Sequence, residues 1–427
     1  MPRADLVVLN ASRLATLRGP KRARRGPELS RLAEIPKGAL AIREGKIVAV
    51  GRTSQIRSRF KADDTLDVEG RAVIPGFVDA HTHLPFAGSR AFELELKLAG
   101  KSYLEILRAG GGIHRTVEDT RAISLRDLLA LVLERLDVML RWGTTTAEAK
   151  SGYGLTVEAE IKQLRAVQLA RGSQPVDLVP TFLGAHVVPK EFAKKRDEYV
   201  QLVARKMIPA VAREQLAEFC DAFLEKDAFT ARECETILDE ARRAGLRTKL
   251  HADEFTNAKG AELAARLGCA SAEHLLQVSP KGIQALAKSD TVAVLLPGVS
   301  VTSLLDRFAP ARALVDKGAA VALGTDLNPN CHVLTMPTVY QWAVYHLRLS
   351  PAEALTAATI NAAHAIGRQD VAGSLEVGKR ADFIVLDYES VPEMAYRVGT
   401  NPVWFVGVRG QLYGSANVAK PQLSEGR

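Results

Sequence analysis

Hydrophobic and polar positions follow two different patterns along this chain. Near both ends, short apolar runs are separated by turn residues. These runs cover residues 6–9, 39–42, 46–50, 381–387 and 403–408. The pattern predicts short β-strands, with residues 43–45 as a hairpin turn. Residues 1–72 and 371–427 are therefore expected to form one small β-sandwich domain, built from both termini.

Residues 73–370 alternate apolar strands with amphipathic helical stretches, such as 128–142 and 231–244. Strand ends are expected near Ala80, Glu148, Leu183, Leu224, His251, His274, Leu296 and Thr325. Parallel strands that alternate with helices, repeated eight times, close into a (β/α)8 barrel. The predicted fold class is therefore α/β, a (β/α)8 barrel with a small β-sandwich domain.

The composition is that of an ordinary globular protein. The chain has 427 residues, of which 47% are hydrophobic and 25% charged, enough for a large barrel and a smaller domain. No apolar run is long enough to span a bilayer, and the N-terminus lacks the layout of a signal peptide. We expect a cytoplasmic protein without membrane contact. Its four scattered cysteines predict reduced thiols.

The formal net charge of +8 raises the question of a nucleic-acid partner. Basic residues are concentrated only at 21–25, between two Gly-Pro pairs, where the pattern favours a solvated loop. No interleaved aromatic residues support RNA binding. We therefore expect no nucleic-acid partner and, at most, a modest attraction of a small anionic substrate.

The strongest chemical signal is His81-Thr82-His83, which follows an apolar strand. Alternate residues of a strand face the same side, so both imidazoles can reach one point. Taken alone, the pair is equally typical of a polar strand end. However, His251, His274 and Asp326 also follow predicted strands, and a barrel places such residues together at its catalytic rim.

His81, His83, His251 and Asp326 form a set of three nitrogens and one oxygen that suits Zn²⁺ or a similar ion. A bound ion of this kind makes hydroxide available at neutral pH. A second metal usually requires a bridging carboxylate, often a modified lysine. Lys150 is the nearest candidate, but the glycines that follow it predict a loop, so one metal is expected.

Further polar residues are expected around this centre. Glu254 is predicted to move a proton from water to a leaving nitrogen, with a helix N-terminal acid as the alternative. His274 is a second acid/base or a stabiliser of the developing oxyanion. The guanidinium of Arg90 suits a carboxylate, with a surface salt bridge as the alternative. Tyr103, Tyr153 and His186 lie in loops on the same side. These residues predict a metal-dependent hydrolase of an anionic cyclic amide or amidine.

Five segments, taken together, resemble the amidohydrolase superfamily. Within it, they are similar to the hydrolases that open the imidazolone ring in histidine degradation. The segments are residues 81–90, 110–113, 150–155, 251–255 and 324–329. The strand-end histidines mark the superfamily, whereas 150–155 and 251–255 are typical of the narrower family. The resemblance runs along nearly the whole chain.

The resemblance implies a role for each candidate residue. The metal, zinc or iron, would be bound by His81, His83, His251 and Asp326. The substrate would be held by Arg90, Tyr103, Tyr153, His186 and Glu254, and the opened product by Asn328, Asn330 and Cys331. Protons would be managed by Glu254 and His274 beside a catalytic Asp326. This chain departs from the family at Asn330 and Cys331, where Gly and then Ser or Thr are frequent. A homodimer is also implied.

The implied reaction converts 4-imidazolone-5-propanoate to N-formimidoyl-L-glutamate by attack of metal-bound hydroxide on the ring carbonyl. Arg90 would anchor the propanoate. The alternatives are another mononuclear amidohydrolase, acting on a different anionic cyclic amide or amidine or on an aminated base, and a non-catalytic scaffold. No role is assigned to His114, His332 or the glycines at 110–112.

Overall fold

Two β-sheets organise the computed structural model, which describes residues 1–101, 105–106, 109–414 and 424–425. The N-terminal elements are β1 (Arg3–Ala15), β2 (Glu34–Arg43), β3 (Lys46–Arg52), α1 (Thr53–Arg59), β4 (Lys61–Asp67) and β5 (Val73–Pro75). The long strand β1 pairs antiparallel with β2 and parallel with β4 and β5. The predicted turn at residues 43–45 does join β2 to β3.

The second sheet is a parallel barrel. Its strands are β6 (Phe77–Asp79), β7 (Thr144–Lys150), β8 (Asp177–Ala185), β9 (Phe219–Leu224), β10 (Arg247–Thr248), β11 (Leu250–Ala252), β12 (Ser271–His274), β13 (Val292–Leu295) and β14 (Val321–Leu323). The strands β10 and β11 are two parts of one interrupted strand, and both pair with β9. The nine described segments therefore form an eight-stranded barrel. A bridge between Thr82 and Leu327 joins the first barrel strand to the last at the catalytic rim. Each of these barrel strands ends within two residues of its predicted position.

Helices connect the barrel strands and cover their outer faces. They are α2 (Glu93–Leu98), α3 (Ile113–Ala122), α4 (Leu125–Arg141), α5 (Val157–Arg171), α6 (Arg196–Leu202), α7 (Ile208–Arg213), α8 (Ala231–Arg243), α9 (Gly260–Leu267), α10 (Pro280–Ala287), α11 (Pro297–Thr302), α12 (Ala311–Asp316), α13 (Met336–Tyr345), α14 (Pro351–Ala357) and α15 (Ile360–Ala365). Side-chain caps start several of them; Ser124, for example, accepts the Asp127 N–H at α4. Within the described ranges, no helix is both long and apolar enough to cross a membrane.

The C-terminal strands complete the first sheet. They are β15 (Phe383–Leu386), β16 (Val403–Val408), β17 (Gln411–Gly414) and β18 (Ser424–Glu425), with α16 (Glu393–Tyr396) between β15 and β16. β15 pairs with β5, so the two termini share one sheet. Side chains of this sheet form an apolar cluster of their own. The predicted fold class is confirmed. The domain limits at residues 72 and 371 stay a proposal, and β5 pairs with the terminal sheet although it begins at residue 73.

The predicted solvated loop at residues 21–25 is only partly correct: Lys21 and Arg22 are exposed, but Arg24 is buried and Arg25 is half-buried. Arg24 is 4% exposed, and its guanidinium donates to the carbonyl oxygens of Leu17, Pro20 and Arg22. Arg25 donates to backbone oxygens at the end of α10. The flanking Gly-Pro pairs concealed this role, because they signal a turn regardless of which surface it packs against. The run fastens the N-terminal segment to the barrel.

We predict that Asn361→Ala loosens this attachment. The buried Asn361 amide accepts the Arg24 N–H at 2.7 Å and donates to the carbonyls of Arg24 and Val321 at 3.0 and 2.8 Å. Alanine leaves these buried backbone groups without partners, so the free energy of unfolding should fall by about 3 kcal/mol in urea denaturation. Asn257→Ala, at an exposed position, is the control and should change it by less than about 1 kcal/mol. Equal effects of the two substitutions would contradict this role.

Candidate active site

Three imidazoles and one carboxylate converge at the catalytic rim of the barrel. The Nε2 atom of His83 lies 3.3 Å from that of His81 and 3.4 Å from that of His251. Asp326 Oδ1 lies 3.2 Å from His81 Nε2 and 3.3 Å from His83 Nε2. All four side chains are buried. Lone pairs directed at one buried point form a site that a metal ion can occupy.

The Nδ1 atoms of His81 and His251 lie against carboxylates on other barrel strands. Glu273 Oε2 lies 2.7 Å from His81 Nδ1, and Asp221 Oδ2 lies 2.8 Å from His251 Nδ1. A carboxylate at Nδ1 fixes the hydrogen there and turns the Nε2 lone pair toward the metal. The barrel interior thus orients two of the three imidazoles so that they could act as metal ligands.

These carboxylates belong to a fully buried array of five charges: Glu148, Asp221, Glu273, Lys150 and Lys249. Lys150 Nζ lies 2.7 Å from Asp221, 2.9 Å from Glu148 and 2.9 Å from Glu273. Lys249 Nζ lies 2.6 Å from Glu148 and 2.8 Å from Glu273. Each ammonium therefore faces at least two carboxylates, which compensates for its loss of water.

Lys150 is the last residue of β7 rather than part of a loop, contrary to the sequence-based expectation. Glu148 and Lys150 alternate along that strand and both face the barrel interior. Burial alone would lower the pKa of Lys150, but the three surrounding carboxylates raise it well above its usual value. The lysine is therefore an ammonium ion, which cannot act as a bridging carboxylate.

The seam between the first and last barrel strands is held by a further carboxylate. Asp79 Oδ2 accepts the Thr325 hydroxyl at 2.6 Å, and its Oδ1 accepts the Thr325 N–H at 2.9 Å. Asp326 follows immediately, in the left-handed region with φ 50°, and His274 has φ 72°. Such backbone is costly for residues other than glycine, so the surrounding contacts must hold both side chains in place.

The four residues fit a divalent ion by their chemistry. Asp326 Oδ1 is buried without a hydrogen-bond donor among the described residues. Burial lowers the pKa values of His83 and His251, so both rings are neutral and can act as ligands. Against the effect of burial, Glu273 raises the pKa of His81 to about 9. Metal binding must then displace this proton, so metal affinity should fall as the pH is lowered.

The site opens into a cavity of about 450 Å³. Ten of the predicted site residues line it: His83, Arg90, Tyr153, His186, His251, Glu254, His274, Asp326, Asn328 and Asn330. His81 lies just below, fully buried. Tyr103 lies outside the described residues. The exposed ring of Phe255 and the backbone near Glu225 contribute to the rim.

Glu254 and His274 lie next to each other on the cavity wall. Glu254 Oε2 lies 3.6 Å from His274 Nε2, and Glu254 is 8% exposed. Burial, together with the nearby Asp326 and Glu225 carboxylates, raises the pKa of Glu254 well above its usual value. Burial lowers the pKa of His274 to about 4. Glu254 can thus hold and release a proton, while His274 is a neutral imidazole at physiological pH.

The walls of the cavity combine aromatic rings with cationic side chains, those of Arg90 and the exposed Lys226. His186 stacks on His83 with ring centroids 4.9 Å apart, and its Nδ1 lies 3.0 Å from the Gly152 carbonyl oxygen. Burial lowers the pKa of His186 to about 3, so Nδ1–H donates that bond from a neutral ring. Arg90 supplies a largely buried positive charge, and Glu93 accepts hydrogen bonds from its Nε and Nη2.

The loop after β14 differs from its expected role in one respect. Asn328 Oδ1 accepts the N–H groups of Asn330 and Cys331 at 2.8 and 3.0 Å, so both amides are occupied within the loop. The Cys331 thiol is fully buried, with Sγ 3.6 Å from the Thr325 carbonyl oxygen. Asn328 and Asn330 line the cavity, and Cys331 lies behind them in the same loop.

Sequence reasoning missed the residues behind the ligands: Asp79, Glu148, Asp221, Lys249 and Glu273. A usable signal was present. Asp79 and Lys249 each stand two positions before a ligand histidine, on the same face of an apolar strand. Charged residues at alternate positions of a buried parallel strand must find partners inside the barrel.

Comparisons with known proteins agree with this geometry. The model of the amidohydrolase family matches residues 72–412. The chain belongs to that family. Within it, the chain falls among the imidazolonepropionases, with which it shares nearly its full length. An imidazolonepropionase of Symbiobacterium thermophilum is 48% identical over 96% of this chain and 97% of its own. One from Chloroflexus aggregans is 45% identical over 96% and 99%.

Solved structures agree on the fold. A zinc-bound adenosine deaminase from Xanthomonas campestris has a TM-score of 0.71 and 22% identity, covering 96% of this chain and 93% of its own. A 5-methylcytosine deaminase from Klebsiella pneumoniae has a TM-score of 0.71 and 17% identity, covering 97% and 99%. Their sequences are too different to indicate more than a shared architecture.

We predict that Asp221→Asn weakens metal binding. The substitution removes the carboxylate that orients His251 Nδ1 and unbalances the charge around Lys150. Affinity for zinc, measured by competition with a chelator, should fall about ten- to hundredfold. Asp239→Asn, on the exposed surface of α8, is the control and should leave affinity unchanged. Wild-type affinity in a folded Asp221→Asn protein would remove Asp221 from this role.

Proposed function

We propose that this protein hydrolyses 4-imidazolone-5-propanoate to N-formimidoyl-L-glutamate in histidine degradation. The observation that carries the proposal is one cavity that joins four metal-ligand side chains to the guanidinium of Arg90. The high identity to imidazolonepropionases over nearly the full chain supports the same substrate. Water adds to the ring carbonyl, the bond from that carbon to the ring nitrogen breaks, and the nitrogen takes a proton.

His81, His83, His251 and Asp326 would hold one metal ion, which we propose to be zinc or iron. When bound, the ion supplies the Lewis acidity that makes water a nucleophile at neutral pH. Neutral imidazoles and a carboxylate suit either metal. The remaining steps depend on side chains of the cavity wall.

Arg90 would bind the propanoate tail, and Tyr153 and His186 would contact the ring. Both wall residues are buried, and burial raises the pKa of Tyr153 above its usual value, so its hydroxyl remains a hydrogen-bond donor. His186 uses Nδ1 on Gly152, which leaves Nε2 as an acceptor. Asn328 and Asn330 line the cavity and would contact the opened product. Tyr103 and Cys331 keep their sequence-based assignments as predictions.

Glu254 would accept the proton from the attacking water and deliver it to the leaving nitrogen. Its raised pKa lets the carboxyl group hold the proton between these two steps. Its carboxylate and the neutral imidazole of His274 face each other, so His274 can donate a hydrogen bond to the oxyanion that forms at the carbonyl.

We also propose that the enzyme works as a cytoplasmic homodimer.

The test is hydrolysis of enzymatically prepared 4-imidazolone-5-propanoate, followed by loss of the ring absorbance before and after chelation. We expect turnover that yields N-formimidoyl-L-glutamate, stops on chelation and returns with added metal. No turnover by a folded, metal-loaded protein would contradict the proposal. A panel of cyclic amides and aminated bases would then identify the substrate.

Glu254→Gln is expected to retain the metal but lose turnover, because the amide cannot accept a proton. Wild-type activity should fall at acidic pH as Glu254 becomes protonated, since only the carboxylate can take a proton from water. The variables measured are kcat across pH and metal content by mass spectrometry. Asp227→Asn, an exposed carboxylate at the cavity rim, is the control. Normal turnover by Glu254→Gln would exclude Glu254 from the mechanism.

Arg90→Ala is expected to raise KM by about tenfold or more with a smaller change in kcat. The lost contact is to a carboxylate that does not react, so it contributes to substrate and transition state alike. Steady-state kinetics with Arg141→Ala as a control would measure this, because Arg141 pairs with Asp137 on the exposed surface at the end of α4. An unchanged KM in Arg90→Ala would contradict the assignment.

A further inference from the structure

Glu93 is a buried carboxylate that connects the cavity wall to the glycine run at residues 110–112. Its Oε1 accepts Arg90 Nε–H at 2.7 Å, and its Oε2 accepts Arg90 Nη2–H at 2.8 Å. Oε1 also accepts the Gly112 N–H at 2.7 Å. The Glu93 side chain is 2% exposed and that of Arg90 11%. One carboxylate therefore holds both a guanidinium edge and a loop backbone.

The glycine run has the shape that this contact requires. A Cβ at Gly111 would lie 2.6 Å from Glu93 Oε1, closer than real contacts allow. Gly112 has φ 78°, a left-handed conformation that glycine adopts without cost. Residue 113 then begins α3, so the loop is also anchored to a ten-residue helix. The run thus brings the backbone close enough to bind Glu93.

The same pairing leaves a defined part of Arg90 for a ligand. A guanidinium has five N–H donors, and Glu93 uses one on Nε and one on Nη2. Within the described ranges, Nη1 has no hydrogen-bond partner, and Arg90 lines the cavity. The edge formed by Nη1 and Nη2 is the one that can receive a second carboxylate in bidentate fashion.

We infer that Glu93 and the glycines at 110–112 form a bracket that positions Arg90 to recognise a carboxylate-bearing substrate. Glu93 is thus a positioning residue for specificity, which it determines without touching the substrate. This inference rests on the proposed function, in which Arg90 binds the propanoate tail. The direction of the effect separates positioning from simple electrostatics. Removing a negative charge beside Arg90 would strengthen anion binding if charge alone mattered, whereas loss of positioning weakens it.

The experiment compares Glu93→Gln with Glu95→Gln, the same change on the exposed part of α2. We expect Glu93→Gln to raise KM for 4-imidazolone-5-propanoate about tenfold or more, with kcat within about threefold of wild type. Glu95→Gln should match wild type. Metal content and melting temperature are measured for each protein, to show that the site and the fold persist.

Gly111→Ala is a second, independent variant, because its Cβ would meet Glu93 Oε1 at 2.6 Å and Ile106 Cγ2 at 2.8 Å and so disturb the contact while both charges stay present. Its KM should rise in the same way. Calorimetric binding of 3-(imidazol-4-yl)propanoate and of 4-ethylimidazole, the same ring without a carboxylate, provides a readout that does not need turnover. Wild type should prefer the carboxylate compound, and both variants should lose most of that preference.

The outcomes separate the two hypotheses. Suppose that wild type turns over the substrate and prefers the carboxylate compound, and that Glu93→Gln and Gly111→Ala keep the wild-type KM and the same preference. The positioning role of Glu93 is then wrong, and the proposed function stands. Tighter binding of the carboxylate compound by Glu93→Gln would also overturn the bracket, in favour of electrostatics alone. If wild type shows neither turnover nor preference, the proposed function fails and the inference fails with it.

Discussion

The structure depends on a buried ionic array inside the barrel, beneath the candidate metal ligands. Three carboxylates and two ammonium groups lie there fully buried: Glu148, Asp221, Glu273, Lys150 and Lys249. Charges in such surroundings are tolerated only with close partners, so each strand that supplies one is held in a fixed register. The array carries one excess negative charge, which favours a cation at the adjacent histidines. Fold and metal site thus share one electrostatic requirement.

A second set of contacts, on the cavity side of the candidate metal ligands, holds the segment that carries Glu254. Glu225 accepts the N–H groups of Phe255 and Thr256 at 2.9 and 3.1 Å, and Asp253 accepts those of Gly260 and Ala261. The segment that carries Glu254 is therefore fixed on both sides. Rigid support of this kind keeps a proton-transfer group within reach of its substrate. Loops at this rim are shaped by buried carboxylates, as the strands below them are.

The barrel and the convergence of His81, His83, His251 and Asp326 were predictable, because they depend on local periodicity. The alternation of side chains along a strand placed His81 and His83 on one face, and the repeated strand–helix units indicated eight barrel strands. The partners were not predictable, because they come from distant parts of the chain. Glu273 reaches His81 across 192 positions, and Asn361 reaches Arg24 across 337. Lys150 was misplaced for a local reason: the glycines that follow it suggested a loop, although the strand continues through it.

The array also bears on the number of metal ions. A lysine forms a bridging carbamate only as a neutral amine, and Lys150 is held as an ammonium by three carboxylates within 2.9 Å. Neutralising it would leave those carboxylates facing one another in a medium where repulsion is strong. The lysine most suitably placed to bridge two metals is thus committed to another role. For this reason we infer that the site of this chain binds a single ion.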